Sequence, residues 1–456
     1  MEDKQKRNKM IEGNILKNLL IYSLPIILSG ILQLLYNAAD LIVCNKFGSE
    51  HATGAISSTG SLINLIIQLF MGLSVGANVL MARCYGAKDE EKAQRVVYTS
   101  MIFSVFTGII LGTIGMTFSK QFLEWMKSPE ETINLSAQYL FIYFIGLPFS
   151  MIYNFGAAIF RATGDTKRPF IFLGLSGILN VLLNLLFVIP LKMDVSGVAL
   201  ATIISQGVSA LMIIVALFTN KNFFHFNLKE IRFYKKEALE IIRIGIPAGI
   251  QSTIFSLSNV LIQSSINSLG PNVMDGNGAS SNLEGFIYTA MNSVAQAAVA
   301  FISANYGAGE KKNIKKTVLY ALLLVLIMNL TTGGLILLFH KELLNLYIHN
   351  EEALEEGTKR LFIISTTYFL CGFMDVGAYS LRGIGYSISP AIISLIGACL
   401  LRIVWIYTVW QNENIHNLSG LVISYPISWL LTLSVHFTLF IILFKRLNLI
   451  KSQKAN

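Results

Sequence analysis

Hydrophobic positions along the chain gather in long blocks separated by short polar breaks. Twelve such blocks lie at about 15–43, 53–81, 93–118, 133–160, 168–190, 196–219, 239–267, 278–305, 315–339, 357–380, 389–410 and 418–445. A helix needs about 20 apolar residues to cross the hydrocarbon core of a bilayer. The pattern therefore predicts an all-α polytopic membrane protein with twelve transmembrane helices. The longest polar break, 220–238, divides the blocks six and six. It predicts an N-terminal six-helix bundle over 1–219, a cytoplasmic linker over 220–238 and a C-terminal six-helix bundle over 239–456.

The first block carries two features that a plain anchor does not need. Pro25 removes a backbone donor and tends to bend the helix. Asp40 puts a carboxyl group where hydrocarbon is expected, at a cost of about 2.5–3.5 kcal/mol on insertion scales. The block at 239–267 repeats the first feature and lacks the second. Pro25 matches Pro247, Asn37 matches Asn259 and Gly48 matches Gly270 at one offset of 222 residues, but Ile262 stands opposite Asp40. Tyr85-Gly86-Ala87 returns as Tyr306-Gly307-Ala308, and Arg161, Gly164 and Pro169 return as Arg382, Gly385 and Pro390. Six spans per repeat is an even number, so both halves enter the membrane in the same sense. That predicts two bundles related by a pseudo-two-fold axis along the membrane normal, with the pathway between them.

The repeated loops have structural explanations. Gly86 and Gly307 are placed to close helices in the left-handed conformation. The loops after Arg161 and Arg382 pair a glycine turn with a proline that opens the next helix. Gly72 and Gly76, at small-xxx-small spacing, predict a close approach of two helices.

Composition agrees with the block pattern. Of 456 residues 54% are hydrophobic and 13% charged, where soluble chains carry about 25%. The net charge of +9 lies in short loops, without a polar domain or aromatic platform for nucleic acid. Lysines and arginines cluster at the chain start, at 83–95, 161–168, 221–243 and 311–316, and at the tail. By the positive-inside rule this places both termini in the cytoplasm, in a cytoplasmic (inner or plasma) membrane. The polar N-terminus has no small-residue cleavage site, so no cleaved signal peptide is expected. Cys44, Cys84, Cys371 and Cys399 are scattered, and no histidine has metal-ligand spacing, so neither a disulfide nor a metal site is expected.

At this point the sequence resembles the multidrug and toxic compound extrusion (MATE) transporters. The resemblance rests on Pro25, Asp40 and Gly48 at their spacing, the duplicated Tyr-Gly-Ala, and the loop RATGDTKRP with its echo. It covers roughly residues 15–445. It implies a secondary antiporter that exports cationic amphipathic drugs in exchange for H+ or Na+, with no other cofactor. Carried over by position, it implies a cation site of Asp40, Asn180, Asn184 and Thr202. It also implies coupling roles for Asp375 and Glu284. Many family members have an aspartate where this chain has Asn184.

Physical chemistry supports a role for Asp40. A carboxyl group away from bulk water can hold a proton or a cation in one state and release it in another, which is the minimum for antiport. Asn180 and Asn184, four apart on one helix face, either hydrogen-bond that carboxyl or join helices. Arg402 is the one base read as membrane-embedded; it pairs with an acid, snorkels, or lines a cavity. Tyr36, Asn37, Phe70, Met71, Gln251, Phe255, Tyr288 and Met291 are the further candidates for a drug-binding cavity. The alternatives are a lipid or lipid-linked oligosaccharide flippase of the same superfamily, which should need several cavity bases, and a non-transporting receptor. No polar segment is long enough for a catalytic domain and no nucleotide-binding loop appears, so an enzyme is not expected. A monomer is expected, with small-molecule substrates as partners.

Overall fold

A computed structural model describes residues 8–49, 52–126, 130–220 and 223–453. Among these the chain is helical, without a strand. The helices are α1 Ile15–Phe47, α2 Ala52–Ala87, α3 Glu90–Trp125, α4 Glu130–Ile145, α5 Leu147–Ala162, α6 Lys167–Val188 and α7 Asp194–Thr219. They continue as α8 Lys235–Asn267, α9 Pro271–Ala308, α10 Lys311–Met328, α11 Gly334–Leu338, α12 His340–Leu344 and α13 Glu351–Gly383. The last are α14 Ile388–Ser394, α15 Leu401–Tyr407, α16 Leu418–Val422 and α17 Ser424–Gln453. Among the described residues eleven helical stretches are long and apolar enough to cross a membrane, or up to twelve if the bent pair α4–α5 is one span.

That pair turns through 49° at Gly146. Pro148 lies at the start of α5, where its missing N–H costs little. Gly108 of α3 lies against it, since a Cβ there would fall 2.5 Å from Pro148 Cα. Pro25 and Pro247, by contrast, stand inside unbroken helices. Ser29 Oγ donates to the Pro25 carbonyl at 2.7 Å. Two spans contain a π-helical turn, Asn329–Gly333 and Leu395–Leu400, which block hydrophobicity gives no means of detecting.

Backbone contacts divide the chain into two compact units. The first is built on Leu24–Gly249 and the second on Ile250–Tyr306 with Glu310 onward, together with Lys9–Ser23. The division thus falls eleven residues later than the start of the second bundle read from the sequence, at 239. The connecting segment is bound to the first unit. Phe224 and Phe226 are buried there, with ring centroids 6.0 Å from Phe160 and 5.8 Å from Tyr98. Lys92 pairs with Glu240 at 2.9 Å. Within the same unit Gly72 and Gly76 meet the first half of α8: a Cβ on Gly72 would fall 2.2 Å from Gly249 N. The close approach expected of that spacing is present.

One expectation needs correction. Gly86 and Gly307 do not close their helices in the left-handed region. Lys88 does so at φ 57° and Gly309 at φ 76°, two residues further on. Gly307 instead packs on α2, where a Cβ would fall 2.2 Å from Arg83 O. Gly164 and Gly385 do make the expected turns, at φ 91° and 109°.

Candidate functional site

In the first unit, α1, α6 and α7 bring Asp40, Asn180, Asn184 and Thr202 together. The 3.6-residue period puts Asn180 and Asn184 on one face of α6, and a tight connection returns α7 beside them, closed by Met193 N–H to Phe187 O at 2.9 Å. Asn184 Nδ2 donates to Asp40 Oδ1 and, at 3.3 Å, to Asn180 Oδ1. Asn180 Nδ2 donates to Thr202 Oγ1 at 3.4 Å, and that hydroxyl donates to Val198 O at 2.9 Å. Asn184 is fully buried, and its Oδ1 has no hydrogen-bond partner. A buried acceptor beside a carboxylate is suited to a cation, because it contributes negative potential and lacks a donor of its own.

Tyr36, one helical turn before Asp40, lies flat against α6. A Cβ on Gly177 would fall 1.9 Å from its ring, and its hydroxyl donates to Gly174 O at 3.2 Å. Asn37 is exposed; Phe70 and Met71 are half-buried, with Phe70 packed against the unit's hydrophobic core. These three are not drawn into the Asp40 group by any hydrogen bond among the described residues.

The second unit holds more buried charge than the sequence pattern implies. Glu284 of α9 meets Arg360 of α13 in a two-pronged ion pair at 2.6 and 2.8 Å, and Arg360 Nη1 donates to Asn277 Oδ1 at 2.7 Å. Asp375 accepts from Asn292 Nδ2 at 3.0 Å, and Gln296 holds Asn292 Oδ1 at 2.7 Å. Arg382 donates to Gln251 Oε1, whose amide donates to Ser394 Oγ at 3.1 Å. Arg402 donates to Ser428 Oγ at 2.9 Å and lies over the rings of Tyr425 and Trp429, 4.0 and 5.6 Å from their centroids. No acid pairs with it among the described residues.

Arg402 is therefore not the one embedded base. Arg360 and Arg382 are buried in α13 as well. Arg360 escaped the sequence pattern because it lies only ten residues into α13, next to Lys359 and the Glu355–Glu356 pair, where it resembles a helix-end charge. The same oversight hid the partner of Glu284. Of the remaining cavity candidates, Tyr288 lines a cavity of about 330 Å³ with Glu284 and Arg360. Met291 is fully buried, close to Gly372, and the half-buried Phe255 packs against the core cluster that includes Trp429. Gln251 serves Arg382 and Ser394 instead.

The duplication extends to family level. A family model described as MatE matches residues 25–186 and again 247–408, the same offset that relates Pro25 to Pro247. The chain belongs to the MatE family. It is similar to the probable multidrug resistance protein YoeA of Bacillus subtilis, 28% identical over 403 residues that make up 86% of this chain and 85% of that protein. The multidrug export protein MepA of Staphylococcus haemolyticus is 24% identical over 82% of this chain and 83% of its own length. A solved outward-facing MATE family transporter superposes with a TM-score of 0.91 at 22% identity, covering 98% of this chain and all of that one, and shows the shared fold. This MatE chain is accordingly a polytopic membrane transporter of small molecules, and not an enzyme.

Proposed function

We propose that this MatE chain exports cationic, amphipathic compounds across the cytoplasmic membrane in exchange for H+ or Na+, with both termini in the cytoplasm. The observation that carries the proposal is the group around Asp40, in which a half-buried carboxylate meets the buried amides of Asn180 and Asn184. Its carboxylate is held by Asn184 Nδ2, and Asn184 Oδ1 is left as an unpartnered acceptor. An ion can enter this group without breaking a strong hydrogen bond, and binding it removes the charge that would otherwise hold a cationic substrate. The unpartnered oxygen favours an ion that takes oxygen ligands. Asp375, held by one amide, is the second candidate for coupling. Glu284 is already neutralised by Arg360 and would need that pair to open. The names of the curated relatives support the multidrug part of the proposal.

The test is transport in proteoliposomes under imposed H+ or Na+ gradients, with several cationic dyes. Gradient-driven dye efflux that is lost in Asp40→Asn supports the proposal. Full efflux by that variant at matched protein content would sink the assignment of Asp40.

A further inference from the structure

The cavity of about 330 Å³ lies wholly within the second unit and is lined by Glu284, Tyr288, Arg360, Tyr368, Tyr425 and Trp429 among others. Its size is within the range of small-molecule sites, about 300–1,000 Å³. One wall is a row of flat rings: Tyr288 stacks on Tyr368 at 6.2 Å and Tyr368 on Trp429 at 5.2 Å, with interplanar angles of 27° and 24°. Tyr425 meets Trp429 edge-on at 5.7 Å. Because the rings stack on one another, a planar ligand ring meets the row edge-to-face or at its open end, both favoured aromatic arrangements.

The charge of the lining decides which planar ligand. Each oxygen of Glu284 accepts one hydrogen bond from Arg360, and the pair is neutral as a unit. A cation on the remaining lone pairs of Glu284 would lie beside the Arg360 guanidinium, and an anion on Arg360 beside Glu284, so the pair by itself favours neither. Arg360 has donors to spare for an anion. A guanidinium has five N–H donors, and Arg360 spends three on Glu284 and Asn277. Behind the Tyr425 and Trp429 rings lies Arg402, a second buried guanidinium with no acid partner among the described residues. Among the described residues the Arg360–Glu284 pair balances itself, which leaves the charge of Arg402 without a carboxylate beside it. The surroundings of the cavity therefore carry an uncompensated positive charge.

We propose that this cavity binds small aromatic carboxylates, with the carboxylate on the remaining donors of Arg360 and the ring against Tyr368 and Trp429. The ligand is thus of opposite charge to the cationic compounds of the antiport proposal, and the inference goes beyond that proposal. Binding needs no bond in the protein to break, and the ligand's charge offsets that of Arg402.

The test uses the purified full chain in detergent micelles with two probes of equal shape, 2-naphthoate and 2-naphthylmethylammonium, titrated calorimetrically without any ion gradient. Arg360→Met strands Glu284 and E284Q strands Arg360, so the double variant E284Q/R360M, which leaves neither charge, is the informative one, and E284Q is read alongside it with its melting as the check of folding. Naphthoate should bind saturably and more tightly than the ammonium probe. Binding should be at least as tight in E284Q, and about tenfold or more weaker in E284Q/R360M, the range expected for losing a charge-assisted pair. Absence of saturable naphthoate binding, equal or tighter binding of the ammonium probe, or wild-type naphthoate affinity in the double variant would each overturn the proposal. Because no gradient is applied, these outcomes are independent of dye efflux and its dependence on Asp40.

Discussion

Arg360 and Glu284 grip each other through two parallel hydrogen bonds, Nε to Oε1 at 2.8 Å and Nη2 to Oε2 at 2.6 Å, with both side chains buried. The pair joins α9 to α13 across 76 positions of sequence. Removing one partner leaves a buried charge alone, a loss of about 3–5 kcal/mol, whereas removing both is close to neutral. Arg360→Met should therefore lower the melting temperature in detergent strongly, and E284Q/R360M should restore most of it. Equal melting temperatures for the two variants would show that the pair has no structural weight.

The Asp40 group is expected to respond to charge and not to size. Asp40→Asn keeps the shape, so the protein should insert and melt as wild type while coupled dye efflux falls to background. Asn184→Asp should behave differently. It puts a second carboxylate beside Asp40 and so strengthens cation binding, seen as a lower Na+ concentration for half-maximal efflux or a shifted pH profile. An unchanged ion dependence in Asn184→Asp would separate Asn184 from the ion.

Helix packing in the first unit depends on missing side chains. Gly249→Leu and Gly72→Val each place a Cβ about 2 Å from facing backbone, 1.9 Å from Leu69 O in the first case and 2.2 Å from Gly249 N in the second. Backbone cannot turn aside as a rotamer can, and overpacking of this kind costs about 1–3 kcal/mol or more. Both variants should lose folded yield. Gly278→Ala, within α9 and with nothing within 4 Å of a Cβ, is the control and should be tolerated or slightly stabilising.

The two loop glycines should be sensitive for a conformational reason. Gly164 and Gly385 hold φ 91° and 109°, and a Cβ on Gly164 would meet nothing within 4 Å, so there the cost of an added methyl is backbone strain alone. Alanine at either position should lower stability by about 1–2 kcal/mol, the left-handed penalty per residue. The drop is to be read as a melting shift; no shift would mean that the loops relax.

The repeat shows how far local pattern reaches. The glycine turns at 164 and 385 and the close approach of Gly72 were legible, because a turn glycine and a small-xxx-small spacing act within a few residues of themselves. The helix closure expected at Gly86 fell two residues early, since Lys88 takes the left-handed position that Gly309 takes in the second half. The π turns at Asn329–Gly333 and Leu395–Leu400 were not legible, because block hydrophobicity is the same for an α and a π turn. Arg360 was hidden by its place near the beginning of a helix among exposed charges.

What the sequence by itself determined is the membrane class, the apolar blocks, their duplication and the cost of Asp40. Each is a sum over neighbouring residues or a comparison of one stretch with another, so no contact need be known. What only the tertiary structure decided is the company of each charge within the helices: Asn184 for the half-buried Asp40 across 144 positions, Arg360 for Glu284, and aromatic faces instead of an acid for Arg402. The physical reason is that a buried charge is tolerated according to what surrounds it, and its neighbours come from helices far apart in sequence.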